Sequence, residues 1–136
     1  MTQLALATRL AESAYLKHLE RVSEMADKEY GDTYATVAML HDLLEDCPQW
    51  NKESLLDLFD DEVVDAVVAL TKPKDKNYEK YIEQVSNNQI ARAVKLYDLL
   101  DNMDISRLKK IDEGTWKRLQ KYHKAYHKLM LDDCDE

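Results

Sequence analysis

The sequence predicts an all-α, single-domain helical bundle, and three observations carry that prediction. Its 136 residues include only two glycines and two prolines, too few for the frequent tight turns of a β-rich chain. The β-branched residues are scattered and do not alternate with polar ones. Apolar residues instead recur at helical spacing, as in Val63, Val64, Val67 and Val68. The length suits one domain with one core. No internal repeat or linker divides residues 1–136.

The elements follow in order. A first helix is expected over residues 4–13 and a second over 16–28, with Gly31 as its C-terminal stop. Asp32 or Thr33 is expected to cap the third, whose apolar face carries Val37, Leu40, Leu43 and Leu44 and which Pro48 ends. Asn51 opens a short helix with Leu55, Leu56 and Phe59, and Asp60 opens the valine-rich one. Lys72-Pro73-Lys74-Asp75-Lys76 reads as a basic loop. Helices follow over 77–85 and 88–103, and a last one runs from Thr115 towards Leu131, with residues 131–136 as a frayed acidic tail.

Composition excludes several function classes. The formal charge of −8 argues against non-specific nucleic-acid binding, which needs a basic face. It leaves room for an anionic small molecule if a pocket holds a cation. No stretch approaches the roughly 20 apolar residues of a membrane span. Met1-Thr2-Gln3-Leu4 shows no basic segment leading into an apolar one, so no signal peptide is expected. Cys47 and Cys134 are far apart and form no disulfide framework, which fits a reduced, cytoplasmic setting.

The chemistry concentrates in Leu40-His41-Asp42-Leu43-Leu44-Glu45-Asp46. On one continuous helix His41 and Glu45 lie one turn apart, as do Asp42 and Asp46, making a compact polar patch. Three carboxylates beside an imidazole repel one another unless a cation sits among them. Asp98, Asp101 and Asn102 form a second polar set, and His18 a third. A histidine, a His-Asp pair and a distant aspartate suit a hydrolytic metal ion with room for water. Each alone has a plainer reading as packed or solvated side chains. His123 and His127, also one turn apart, can chelate a metal, but without a nearby third ligand they read as a solvated face.

Together these residues resemble the hydrolase domain of the RelA/SpoT family and its small stand-alone relatives, the metazoan SpoT-like hydrolases. That family has a tyrosine three residues before its first histidine, as in Tyr15-Leu16-Lys17-His18. Its His-Asp-x-x-Glu-Asp signature is matched by His41 to Asp46, and its threonine with nearby lysines by Thr71-Lys72-Pro73-Lys74. Its Val-Lys-Leu-Ala-Asp-x-x-x-Asn motif is matched by Val94-Lys95-Leu96-Tyr97-Asp98-Leu99-Leu100-Asp101-Asn102, and Arg118 and Tyr122 match its final helix.

The resemblance implies an HD-type bundle in which His18, His41, Asp42 and Asp98 hold one divalent ion, typically Mn²⁺. Glu45 and Asp46 become the acidic pair beside the attacked phosphorus, and Lys74, Asn102, Arg118 and Tyr122 contact a nucleotide. The expected activity is metal-dependent phosphohydrolysis of a (p)ppGpp 3′-pyrophosphohydrolase type. Alternatives are hydrolysis of a nucleoside monophosphate or NADPH, and a metal-containing nucleotide sensor without turnover. The sequence departs from the family in two ways. Ala11 to Tyr15 runs straight on where the family carries a basic, glycine-containing loop, which reduces the grip on outer phosphates to Arg9 and leaves Lys72, Lys74 and Lys76 to compensate. Tyr97 replaces the motif's alanine, and Asp101 its usual histidine or tyrosine.

Overall fold

The computed structural model describes residues 2–10 and 16–134, and the side chains of Arg9, Leu10 and 132–134 lie outside that description. The expected end of the first helix, Tyr15 and the missing-loop segment fall outside the described residues, as does the side chain of Arg9. Described elements are helical throughout: α1 (Gln3–Leu10), α2 (Leu16–Tyr30), α3 (Asp32–Leu40), α4 (Leu43–Asp46), α5 (Lys52–Leu56), α6 (Asp61–Ala69), α7 (Tyr78–Ser86), α8 (Gln89–Met103) and α9 (Glu113–Cys134), with a 3₁₀ turn at Ile105–Arg107. No strand occurs among the described residues, and none of their helices is long and apolar enough to cross a membrane.

Local chemistry sets the boundaries. Gly31 stops α2 in the left-handed region at φ 90°, which a residue with a Cβ adopts only under strain. Asn51, Asn77 and Asn88 accept the backbone N–H groups of Ser54, Lys80 and Ala91, each cap contributing about 1 kcal/mol. One expected cap differs. Gly31 occupies the cap position of α3, and neither Asp32 nor Thr33 does. Asp60 occupies the cap position of α6 as expected, but its carboxylate makes no capping bond and instead accepts Gln3 Nε2 at 3.0 Å, tying α1 to α6. The tail expected to fray continues α9 as far as Cys134.

α2 packs on α3 and α8; α3 also meets α1 and α6, while α7 and α9 close over α8. The core between them is aliphatic: Val22, Val37, Leu40, Val63, Val67, Val94, Leu99 and Leu129 are inaccessible to solvent. Each such side chain contributes about 1.5–3 kcal/mol on burial. The buried face of α8 runs Ala91, Val94, Asp98, Asp101 at steps of three and four, so it turns from aliphatic to carboxylate along one line. α2 brings His18 to the same end of the bundle.

One helix boundary creates the site. A continuous helix was expected through Asp46, but α3 stops at Leu40 and α4 starts at Leu43. The cause lies in one carbonyl. Ala38 O would accept the backbone N–H of residue 42 in an unbroken helix. Here it accepts the His41 ring at Nδ1 (2.5 Å) and the His41 backbone N–H (3.4 Å), so the chain tightens and turns. The four-residue polar patch is therefore divided. His41 is buried, Asp42 lies at the turn, and Glu45 and Asp46 stand exposed on α4.

Candidate functional site

Helices α2 and α8 and the turn after α3 place one ligand-type atom each at a single point. His18 Nε2 of α2 lies 2.7 Å from Asp98 Oδ1 of α8, and His41 Nε2 lies 3.3 Å from the same oxygen. The three donor atoms lie within 4.8 Å of one another, a span that one cation could bridge. The fourth residue expected there, Asp42, is at the edge, with Oδ2 at 3.5 Å from His41 Nε2. The ring of His41 is held from behind by Ala38 O, which leaves Nε2 as the nitrogen facing Asp98.

Electrostatics around Asp98 fit a cation-binding centre. Burial alone would raise its pKa, but Lys95, His41 and His18 outweigh burial and hold the carboxyl well below its ordinary range. Lys95 Nζ contacts Asp98 Oδ2 at 2.9 Å, leaving Oδ1 to the histidines, and lies over the Tyr81 ring at 5.2 Å from its centroid. Burial works against charge on Lys95 as well, and the Asp98 carboxylate again prevails, so its pKa rises. Burial likewise pulls the His41 imidazole down; the charge and hydrogen bond of Asp98 reverse this and push it up to about 9. His18 is raised too, with hydrogen bonds from Asp98 and Asp101 prevailing over burial. Without a metal, protons bridge Nε2 to Oδ1. A divalent cation can replace them with the same partners, so the residues fit the ion.

Above this point opens a cleft of about 650 Å³. His18, Asp42, Glu45, Asp46, Asp98, Asn102 and Tyr122 line it, which brings most of the sequence-expected residues together. Asn102 Nδ2 donates to Asp98 Oδ1 at 3.3 Å. Lys74 and Arg118 are exposed and do not line the cleft. Lys72 does, and its backbone N–H donates to Glu45 Oε1 at 2.5 Å. Burial, and after it the charge of Asp42, raises the Asp46 carboxyl.

Several lining residues escaped the sequence reading: Arg21, Tyr78, Tyr81, Arg107 and Lys121. Only position on a helix could have flagged Arg21, three residues beyond His18. The cleft carries five cationic and six carboxylate side chains. A second indentation of about 360 Å³, which includes Tyr30 and Tyr34, lies at the other end of α8 and contains none of these groups. His123 and His127 are exposed with ring centroids 4.4 Å apart, and no third ligand joins them among the described residues.

No protein-family model matches the sequence, and no curated protein does. A solved structure described as a metazoan ortholog of SpoT that hydrolyzes ppGpp is similar in fold, with a TM-score of 0.77. The match covers 95% of this chain and 86% of that one at 21% identity. The chain thus has the helical fold of that hydrolase, the HD-type bundle expected from its sequence.

Proposed function

We propose that this protein is a divalent-metal-dependent phosphohydrolase of nucleotides, and that its reaction is removal of a 3′-pyrophosphate from guanosine tetraphosphate or a close analogue. The observation that carries the reading is the convergence of His18, His41 and Asp98 beneath a cleft rimmed by Glu45 and Asp46. The likeness in fold to a ppGpp hydrolase supports the choice of substrate.

His18, His41 and Asp98 hold the ion, with Asp42 as a fourth ligand, and Mn²⁺ is the ion proposed. When bound, such an ion acidifies water and neutralises phosphate charge. Asp46, its carboxyl raised by burial and by Asp42, is suited to take the proton of the attacking water. Glu45, held through Oε1 by the Lys72 N–H, keeps its second oxygen for the same water. The water oxygen bonds to phosphorus, the bond from phosphorus to the 3′ oxygen breaks, and the carboxyl returns its proton to that oxygen. Asn102 offers an N–H to a sugar or phosphate oxygen, Tyr122 a ring to the base, and Lys72 and Lys121 balance the anion.

A less charged nucleotide, such as a nucleoside monophosphate or NADPH, is the second reading, favoured by the excess of carboxylates over cations in the cleft. Mn²⁺-loaded protein tested against guanosine tetraphosphate, nucleoside monophosphates and NADPH, reading released phosphate and pyrophosphate, separates the two. Pyrophosphate from guanosine tetraphosphate supports the first. Stoichiometric metal and nucleotide binding with no product from any of them would instead identify a sensor and overturn both.

A further inference from the structure

The catalytic reading above leaves Asp101 unused. It sits on the buried line of α8, one turn beyond Asp98, where the register otherwise places aliphatic side chains, and its own side chain is 6% exposed. A carboxylate in such a place is stable only if paired. Its partners are specific. Oδ2 accepts His18 Nδ1 at 2.5 Å and Arg21 Nη2 at 3.1 Å, while Oδ1 accepts Arg21 Nε at 2.7 Å. The planar guanidinium fork fixes the plane of the carboxylate, and that plane fixes the edge of the His18 ring. Arg107 Nη2 donates to the backbone carbonyl of Asp101 at 2.9 Å and secures the same turn of helix.

We propose that Asp101, oriented by Arg21, is a positioning residue that holds His18 in the tautomer and ring orientation presenting Nε2 to Asp98 and His41. An imidazole offers two nitrogens, and the hydrogen bond made by one selects the other as ligand. Asp101 stands outside the group of three converging donor atoms, so it acts through His18 and not as a ligand itself. For His41 the same task falls to a backbone carbonyl, Ala38 O. Only the His18 support can therefore be removed by substitution.

This inference rests on the metal reading above, and its test keeps the two apart. Zn²⁺ titration calorimetry compares wild type, Asp101→Asn, His18→Ala and the double variant, with helix content checked by circular dichroism. Asp101→Asn is expected to weaken binding by about 10- to 100-fold. In the His18→Ala background the same change is expected to cost nothing further, because its effect passes through that ring. Arg21→Lys, which keeps the charge and loses the fork, is expected to fall between wild type and Asp101→Asn. Proton spectra of the metal-free protein, with both His18 ring nitrogens protonated, should show an exchange-protected, downfield Nδ1–H in wild type that is lost in Asp101→Ala. Equal losses in both backgrounds, or an unchanged Nδ1–H signal, overturn the proposal. A wild type that binds no ion defeats the metal reading alone, and the Nδ1–H signal still decides the part played by Asp101.

Discussion

Lys95→Met removes the cation that faces Asp98 Oδ2 at 2.9 Å and keeps the length of the side chain. Both partners are largely buried, with 12% and 6% of their side chains exposed, so solvent cannot replace the lost charge. Breaking a buried pair by removing one partner costs about 3–5 kcal/mol. The His41 imidazole modulates this. At neutral pH its pKa of about 9 keeps it protonated against Asp98, so the low end applies. Above the His41 pKa of about 9 that support disappears and the high end applies. For a protein of this length the loss lowers Tm by roughly 10–20 °C. A divalent ion would take over the neutralisation of Asp98, so the deficit should shrink when Mn²⁺ is present. Calorimetric melts at pH 7 and 9.5, with and without Mn²⁺, are the assay. A Tm change below roughly 4 °C in metal-free protein at pH 9.5, about 1 kcal/mol, would refute the view that Lys95 neutralises a buried charge.

Three further outcomes are expected. Because His41 is raised to about 9, its proton stabilises the metal-free fold below about pH 6.5, and that contribution is lost as pH rises through 9; a metal must displace it, so affinity should climb about tenfold per pH unit across the same window. Calorimetry in buffers of different ionisation enthalpy should detect released protons, and pH-independent binding would contradict the assignment. Glu45→Gln should lower turnover by about 10²–10⁴-fold at unchanged metal content, read from product release alongside elemental analysis; an undiminished rate removes Glu45 from the mechanism. Leu55→Ala, at a site wholly shielded from solvent, should cost about 2–5 kcal/mol in urea denaturation while leaving metal affinity unaltered.

Much of the helical layout was legible because punctuation in this sequence is local. Gly31, Asn51, Asn77 and Asn88 act on backbone groups within three residues, and periodicity shows the valine face of α6 directly. His18, His41 and Asp98 could be nominated from motif order, yet their meeting point depends on helices crossing 57 and 80 residues apart in sequence. What could not be read was which charges pair. Lys95 was visible as a motif residue, but its role depends on the i,i+3 reach to Asp98 and on the Tyr81 face beside it. Asp101 counted as a departure from a pattern until its partners on α2 were in place. Lys74 was nominated by the match of Thr71 to Lys74 to a family motif, whereas Lys72 of the same segment lines the cleft and Lys74 is exposed outside it.

The contest for the Ala38 carbonyl has a consequence for how the site can be dissected. Because the His41 ring holds that oxygen, the imidazole both faces Asp98 and ends α3. A substitution that empties position 41 frees the acceptor, and the helix can then run on through residue 42, each residue turning about 100° about the axis. Asp42, Glu45 and Asp46 would swing to a new face together. Deleting His41 is thus a change of phase along the chain as much as the loss of a nitrogen. Asp98, which sits within an uninterrupted helix, can be altered without resetting its neighbours.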